Sequence, residues 1–95
     1  MVHRVKDHNY HYTYLIRSVK SGKWYIGITS DLRKRFHQHQ NNESTYTKGR
    51  GPFELIYYEA CQNRLDAESR ERYLKSGMGR RYIKNRLKRF LSLTR

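Results

Sequence analysis

Cysteine is almost absent from this chain of 95 residues, since Cys61 is the only one. An internal disulfide is therefore excluded, and the composition is compatible with a reducing compartment. Because Cys61 ends an apolar run and has no second cysteine beside it, we predict that it is a small buried hydrophobic side chain rather than a nucleophile.

Long hydrophobic runs are missing as well. No apolar stretch approaches the roughly 20 residues that a helix needs to span a bilayer. The basic, histidine-rich start of the chain lacks the apolar core of a signal peptide. We therefore expect an intracellular, cytoplasmic protein that does not bind membranes.

Acidic residues are scarce: 8 Asp and Glu face 21 Lys and Arg, which gives a formal net charge of +13. This excess on so short a chain favours a polyanionic partner, with nucleic acid as the leading candidate, over a merely solvated surface. Nine tyrosines, three phenylalanines and one tryptophan exclude a disordered tail, although the hydrophobic fraction is only 36%. One small domain with a tyrosine-rich core is expected.

Patterns typical of strands occupy Tyr12–Ser18, Trp24–Thr29 and Phe53–Glu59. The first two are joined by a short turn that contains glycine, which predicts a hairpin. Alternation in the second strand places Tyr25 and Ile26 on opposite faces. The third strand is mostly apolar, so we predict that it is central or well covered.

Helical patterns are predicted at residues 31–40 behind a Ser30 cap, from Asn63 or Asp66 to a stop at Gly77, and at residues 80–93. The polar loop 41–52 is long enough to contact a ligand. This order implies an α+β fold, a small three-stranded and mostly antiparallel sheet (β-β-α-β-α-α) flanked by helices. We predict an N-terminal tail over residues 1–11 and one domain over residues 12–93.

Glu71 interrupts the apolar stripe of the second predicted helix. Ala67, Glu71 and Leu74 fall on the face expected to pack against the sheet, and Leu65 is a further core candidate. A carboxylate in that position needs a partner. Lys75 lies one turn further along, and spacing alone favours an ordinary helical ion pair between the two.

Arg35 and His39 lie four residues apart, beside the buried stripe that Leu32 and Phe36 form on the first helix. Together they could hold a phosphate, although basic residues at this spacing usually form a solvated face. Tyr12 and Tyr14 share one face of the first strand, and Tyr25 on the second strand completes a cluster of phenols. The spacing of the five histidines does not indicate a zinc site.

The order of these residues is specific. Tyr14, then Tyr25-Ile26-Gly27 eleven residues later, then Arg35 with His39, and finally Glu71 form one ordered set. With the segment 46–52 and the strand that follows it, this set resembles the GIY-YIG nuclease family, in particular its short standalone bacterial-type members, over about residues 12–90. The first element departs from its name, because Tyr12-Thr13 stands in place of Gly-Ile.

The resemblance implies a GIY-YIG endonuclease with one Mg²⁺ or Mn²⁺ ion per active site, held by Glu71 as the only protein ligand. It implies that Arg35 contacts the scissile phosphate and that Tyr14 and Tyr25 position the attacking water. Tyr14, activated by the metal or by Arg35 and assisted by His39, is the favoured general base, and the choice between Tyr14 and His39 stays open.

Further basic residues are predicted to contact the DNA backbone without reading sequence. They are Lys48, Arg50, Lys75, Arg80, Arg81, Lys84, Arg86, Lys88 and Arg89. Family members gain specificity mostly through appended domains, and none is expected here. This favours structure-selective or weakly sequence-specific cutting near the nucleoid, with a partner protein or a homodimer left open. The alternatives are a non-catalytic nucleic-acid-binding module and a small structural protein of a ribonucleoprotein particle.

Overall fold

The structure, a computed structural model, describes residues 9–93. Its elements are β1 (His11–Ser18), β2 (Trp24–Thr29), α1 (Leu32–Gln40), β3 (Phe53–Cys61), α2 (Arg64–Lys75), α3 (Gly77–Arg86) and α4 (Lys88–Leu93). The predicted α+β class is confirmed. β1 begins one residue earlier than predicted, at His11, and residues 1–8 of the predicted tail lie outside the described residues.

The three strands form an antiparallel sheet in the order β2-β1-β3. Tyr14 on β1 lies opposite Gly27 on β2 and Tyr58 on β3. The prediction that β3 is central or well covered is wrong: β1 is the central strand, and β3 lies at an edge where Tyr58 is 53% exposed. The hairpin leaves one side of β1 free, and β3 pairs with that side after the chain returns from α1.

The sheet separates two apolar clusters. On one face Tyr14, Ile16, Tyr25 and Phe53 pack together, and Leu32, Phe36 and Leu55 adjoin them. On the other face Leu15 and Ile26 pack against Leu74 of α2 and Ile83 of α3. Tyr25 and Ile26 therefore lie on opposite faces, as the alternation predicts. Full burial of one Leu, Ile or Phe side chain contributes roughly 1.5–3 kcal/mol to the stability of the fold.

Asp31, not Ser30, caps α1. Its backbone is extended, and its carboxylate accepts a hydrogen bond from the backbone N–H of Lys34, with Oδ1 and N 3.1 Å apart. Asn63, one of the two predicted starts, caps α2 by accepting from the backbone N–H of Leu65 at 2.8 Å. Leu65 itself is 68% exposed, so its prediction as a core residue is wrong. In the first turn of a helix the apolar period does not decide which side chains reach the sheet.

Two further sequence predictions need correction. The expected single helix over residues 80–93 is two helices, α3 and α4, with a break at Leu87. Gly77, which was predicted to end the second helix, instead begins α3. Ser76 ends α2 and also caps α3, because its hydroxyl accepts a hydrogen bond from the backbone N–H of Gly79. A Cβ at Gly79 would lie 2.0 Å from the carbonyl oxygen of Tyr73, so only glycine allows α2 and α3 to approach so closely.

Cys61 is only partly buried, contrary to the prediction of a buried hydrophobic side chain. It ends an edge strand, where one side of the backbone has no neighbouring strand. Its thiol donates to the carbonyl oxygen of Asn63 at 3.4 Å. Partial burial raises the pKa of this thiol, which disfavours the thiolate and agrees with the prediction that Cys61 is not a nucleophile.

Candidate active site

A cavity of about 250 Å³ lies where the hairpin, α1, α2 and the loop after α1 converge. Its lining residues are Tyr14, Ile26, Gly27, Ile28, Arg35, Tyr46, Glu71 and Lys75. Three of the five predicted catalytic residues, Tyr14, Arg35 and Glu71, thus share one cavity although they come from three different elements. The other two, Tyr25 and His39, lie behind it and contact its walls.

The Tyr14 side chain crosses the hairpin over Gly27. A Cβ at Gly27 would lie 2.5 Å from the Tyr14 hydroxyl oxygen and 2.8 Å from Cζ of the same ring. Any side chain larger than hydrogen at this position would displace the phenol. The glycine of the Tyr25-Ile26-Gly27 element therefore serves to position Tyr14, and the two sequence elements of the hairpin form one structural unit.

His39 is fully buried and joins two hydroxyl groups. Its Nε2 lies 2.8 Å from the Tyr14 hydroxyl, and its Nδ1 lies 2.6 Å from the hydroxyl of Thr47. The sequence placed His39 at the margin of the buried stripe of α1, which is wrong: the loop after α1 folds over the ring and covers it. Since both ring nitrogens are satisfied inside the protein, the orientation of the imidazole is fixed.

Sequence reasoning missed Thr47, which is also fully buried. Threonine in a polar loop gives no local sign of burial. Only an indirect signal points to Thr47. A buried histidine that bonds one hydroxyl needs a second partner for its other ring nitrogen, and the polar loop 41–52 that follows α1 can supply one.

Burial, and next the nearby positive charge of Arg35, lower the pKa of His39 from its ordinary 6.5 to about 4. The imidazole is therefore neutral at pH 7, and its nitrogen beside Tyr14 is able to accept a proton.

Two hydrogen bonds hold the guanidinium of Arg35 in place. It donates to Oε1 of Gln38 at 2.9 Å and to the hydroxyl of Ser44 at 3.1 Å. Ser44 is itself buried. An arginine whose fork is held by two acceptors presents its remaining N–H groups in a fixed direction, as recognition of a phosphate requires.

Burial raises the pKa of the Tyr14 phenol above its ordinary value of 10. The Arg35 guanidinium opposes this shift by a hydrogen bond and by its charge, while Glu71 and Tyr46 add to it. Arg35 alone therefore does not ionise Tyr14 at neutral pH. A cation that neutralised Glu71 would remove one of the contributions that disfavour the phenolate.

Glu71 contacts the partner that helical spacing predicted. Its Oε2 lies 3.3 Å from Nζ of Lys75, and the side chains of Glu71 and Lys75 are 24% and 49% exposed. Both line the cavity, in which Glu71 is the only acidic residue. Glu71 therefore forms the predicted helical ion pair and also belongs to the candidate active site.

Tyr25 is buried beside the cavity rather than in its lining. Its ring packs edge-on against Tyr46, with the centroids 5.3 Å apart, and against Phe53 at 5.8 Å. Tyr46 covers Tyr25, lines the cavity and is 49% exposed. Tyr12 belongs to a separate cleft, where its ring packs against Tyr58. The predicted cluster of phenols is therefore divided, and Tyr46 is the exposed phenol of the site.

The comparison with protein families decides what this geometry represents. The profile of the GIY-YIG catalytic domain matches residues 10–88, which is most of the chain. The chain belongs to the GIY-YIG family. A nuclease-type activity is what this domain implies.

Individual relatives of this chain are UPF0213 proteins. A UPF0213 protein of Clostridium perfringens is 42% identical over 65 residues, which are 67% of this chain and 69% of that protein. The UPF0213 protein YazA of Bacillus subtilis is 38% identical over 68 residues, 70% of this chain and 68% of YazA. The solution NMR structure of a UPF0213 protein from Bacillus halodurans superposes with a TM-score of 0.50 at 30% identity and covers 80% of this chain and 83% of that one.

The basic residues predicted to contact DNA are all exposed in this GIY-YIG domain, as phosphate contacts require. Lys48, Arg50, Arg80, Arg81 and Lys84 are all exposed, and Lys75 is exposed as well, at the edge of the cavity that it lines. The guanidinium of Arg80 lies 4.3 Å above the centroid of the Trp24 ring, which holds it over β2. No helix within residues 9–93 is long and apolar enough to cross a bilayer.

The lowered pKa of His39 predicts a loss of stability in acid. The neutral imidazole stabilises the fold fully above pH 6.5, and this contribution of roughly 3 kcal/mol is lost as the pH falls from 6.5 to about 4. We expect the free energy of unfolding, measured by urea denaturation, to fall less over this range in His39→Gln than in the wild-type protein. His37→Gln changes an exposed histidine of the same helix, so its free energy of unfolding should fall with pH as steeply as that of the wild-type protein. Parallel curves for wild type and His39→Gln would contradict the assignment.

Proposed function

We propose that this GIY-YIG domain is a metal-dependent endonuclease that hydrolyses DNA phosphodiester bonds with structure-selective or weakly sequence-specific cutting. One observation carries the proposal: Tyr14, Arg35 and Glu71 line a single cavity. The Tyr14 phenol is hydrogen-bonded to a neutral buried imidazole, the Arg35 guanidinium is held in place, and Glu71 is the only carboxylate of the lining. These are a proton acceptor, a group that neutralises phosphate charge and a ligand for a hard cation. A phosphodiester hydrolase needs these three functions.

Glu71 suits a site for one Mg²⁺ or Mn²⁺ ion. Within the described part of the chain no group of three or more His, Cys, Asp or Glu side chains converges, which is unfavourable for an all-protein metal cage. Mg²⁺ instead commonly binds one or two carboxylates together with waters and substrate phosphates, and the Glu71 oxygens face a cavity with room for both. When bound, the ion would polarise a phosphoryl oxygen and stabilise the leaving 3′ oxygen.

Proton removal from the attacking water falls to the pair Tyr14 and His39. A phenol with a raised pKa is a poor base alone, but its hydroxyl lies 2.8 Å from Nε2 of His39. As the Tyr14 oxygen takes a proton from water, its own proton passes to Nε2, and Nδ1–H donates to Thr47. The phenol then never carries a full charge, and each proton ends on a named atom.

Arg35 supplies the positive charge for the scissile phosphate. Charge on the equatorial oxygens increases in the transition state, and a guanidinium held in place by Gln38 and Ser44 needs no rearrangement to stabilise it. The basic residues of α3 are exposed, and we expect them to hold neighbouring phosphates of the strand without reading bases.

The test is a nicking assay on supercoiled plasmid DNA with Mg²⁺, with Mn²⁺, and with excess chelator. We expect cleavage with either ion and none with the chelator. A parallel panel of single-stranded, duplex, flap and junction DNA identifies the preferred structure. Cleavage that persists in excess chelator contradicts metal dependence. DNA binding without cleavage under all conditions would instead support the non-catalytic nucleic-acid-binding module.

A further inference from the structure

Lys75 pairs with Glu71, which is the only carboxylate among the residues that line the cavity. Its Nζ lies 3.3 Å from Oε2 of Glu71 and 6.0 Å from the centroid of the Tyr46 ring. All three side chains line the same cavity. The ammonium therefore pairs with the carboxylate to which the proposed function assigns the divalent cation.

We infer that Lys75 is an internal counter-ion which a divalent cation must displace from Glu71, and that Lys75 thereby sets the metal concentration at which the site fills. This inference rests on the proposed function, because it takes Glu71 as the metal ligand. It adds a specific role for a residue that the sequence assigned to a helical ion pair and to contact with the DNA backbone.

The geometry permits this exchange at little cost. The Lys75 side chain is 49% exposed, so its interaction with Glu71 is screened by water and is of the modest strength typical of helical pairs at this spacing. The long flexible stem lets the ammonium move away from Glu71, and the Tyr46 ring, over which the ammonium already lies, remains a contact for it. Lys75 therefore weakens cation binding without preventing it.

Electrostatics gives the direction of the effect. The protein carries a formal charge of +13, and the Arg35 guanidinium lines the same cavity, so the site is unfavourable for a second cation. Removing the Lys75 ammonium takes away both a competitor for Glu71 and a repulsive charge. Reversing that charge would place two carboxylates one helical turn apart, which is a better ligand pair for a divalent ion.

The experiment measures Mn²⁺ binding to the protein without DNA, by the EPR signal of free Mn²⁺ at neutral pH. Lys75→Gln should lower the Kd by about two- to fivefold, the range that corresponds to loss of an exposed helical pair. Lys75→Glu should lower it further, and Lys75→Arg should stay near wild type. Lys20→Gln, at an exposed position of the hairpin turn, removes the same charge elsewhere and corrects for the general change in net charge.

The outcomes distinguish the role of Lys75 from the metal site at Glu71. A Kd of Lys75→Gln equal to that of Lys20→Gln, together with weak binding by Glu71→Gln, overturns the role of Lys75 and leaves the metal site at Glu71 intact. Wild-type Mn²⁺ affinity in Glu71→Gln overturns both. Tighter binding in Lys75→Gln and Lys75→Glu, but not in Lys20→Gln, supports the inference.

Discussion

Glu71→Gln should lower the rate of DNA cleavage by about a thousandfold or more, while DNA binding and thermal stability change little. The substitution keeps the shape of the side chain and removes its charge. If Glu71 holds the ion, the lost stabilisation of the transition state is worth several kcal/mol, and each 1.4 kcal/mol corresponds to about a factor of ten in rate. Single-turnover cleavage of a labelled DNA substrate at saturating Mg²⁺ measures the effect.

Glu68→Gln is the matched control, because Glu68 lies on the same helix and forms an ion pair with Arg64, four residues earlier. Neither residue of that pair lines the cavity, so the control should lose only a few tenths of a kcal/mol in stability and should cleave normally. If Glu71→Gln behaves like Glu68→Gln, then Glu71 is only a helical partner of Lys75 and the assignment of the metal ligand is wrong.

Arg35→Ala should reduce cleavage by about two to three orders of magnitude by removing the group that neutralises charge on the scissile phosphate. DNA should still bind through the other exposed basic residues. Because the guanidinium donates to the buried hydroxyl of Ser44, we also expect a loss of about 1 kcal/mol in stability. Arg35→Lys should recover little activity, since an ammonium cannot reproduce the planar fork.

Arg33→Ala provides the comparison for Arg35. Arg33 is an exposed arginine two residues earlier on α1, so the two variants lose the same charge from the same helix, but Arg33 does not line the cavity of Tyr14 and Glu71. Circular dichroism and DNA affinity should be measured for both. Normal cleavage by a folded Arg35→Ala would contradict the proposed role, and an equal loss in Arg33→Ala would show that net charge alone is responsible.

The local patterns of the chain were sufficient where a feature depends on neighbours in sequence. The hairpin follows from its glycine-containing turn. Periods of two or about four residues predict the positions of α1 and α2, the alternation of Tyr25 and Ile26, and the ion pair of Glu71 with Lys75. Glu71 was conspicuous for the same reason, since a carboxylate on an apolar helical stripe is visible in the sequence alone.

Predictions were wrong where burial depends on segments distant in sequence. His39 is buried because the loop carrying Thr47 folds over it, and β1 rather than β3 is central because both other strands pair with it. The break at Leu87 follows the same principle: the helical pattern of residues 80–93 continues, but the Leu87 side chain packs against the cluster formed by β1, β2, α2 and α3. No local propensity contains that information.

The sequence by itself determined the α+β class, the excess of positive charge and the ordered set of Tyr14, Arg35 and Glu71 that identifies the family, because composition, period and spacing are properties of the chain. Only the tertiary structure decided that these side chains share a cavity, that His39 is neutral and bonded to Tyr14, and that Gly27 makes room for the phenol. The physical reason is that pKa values, hydrogen-bond partners and steric limits depend on distances through space, and those distances arise only when the loop, the hairpin and the two helices pack together.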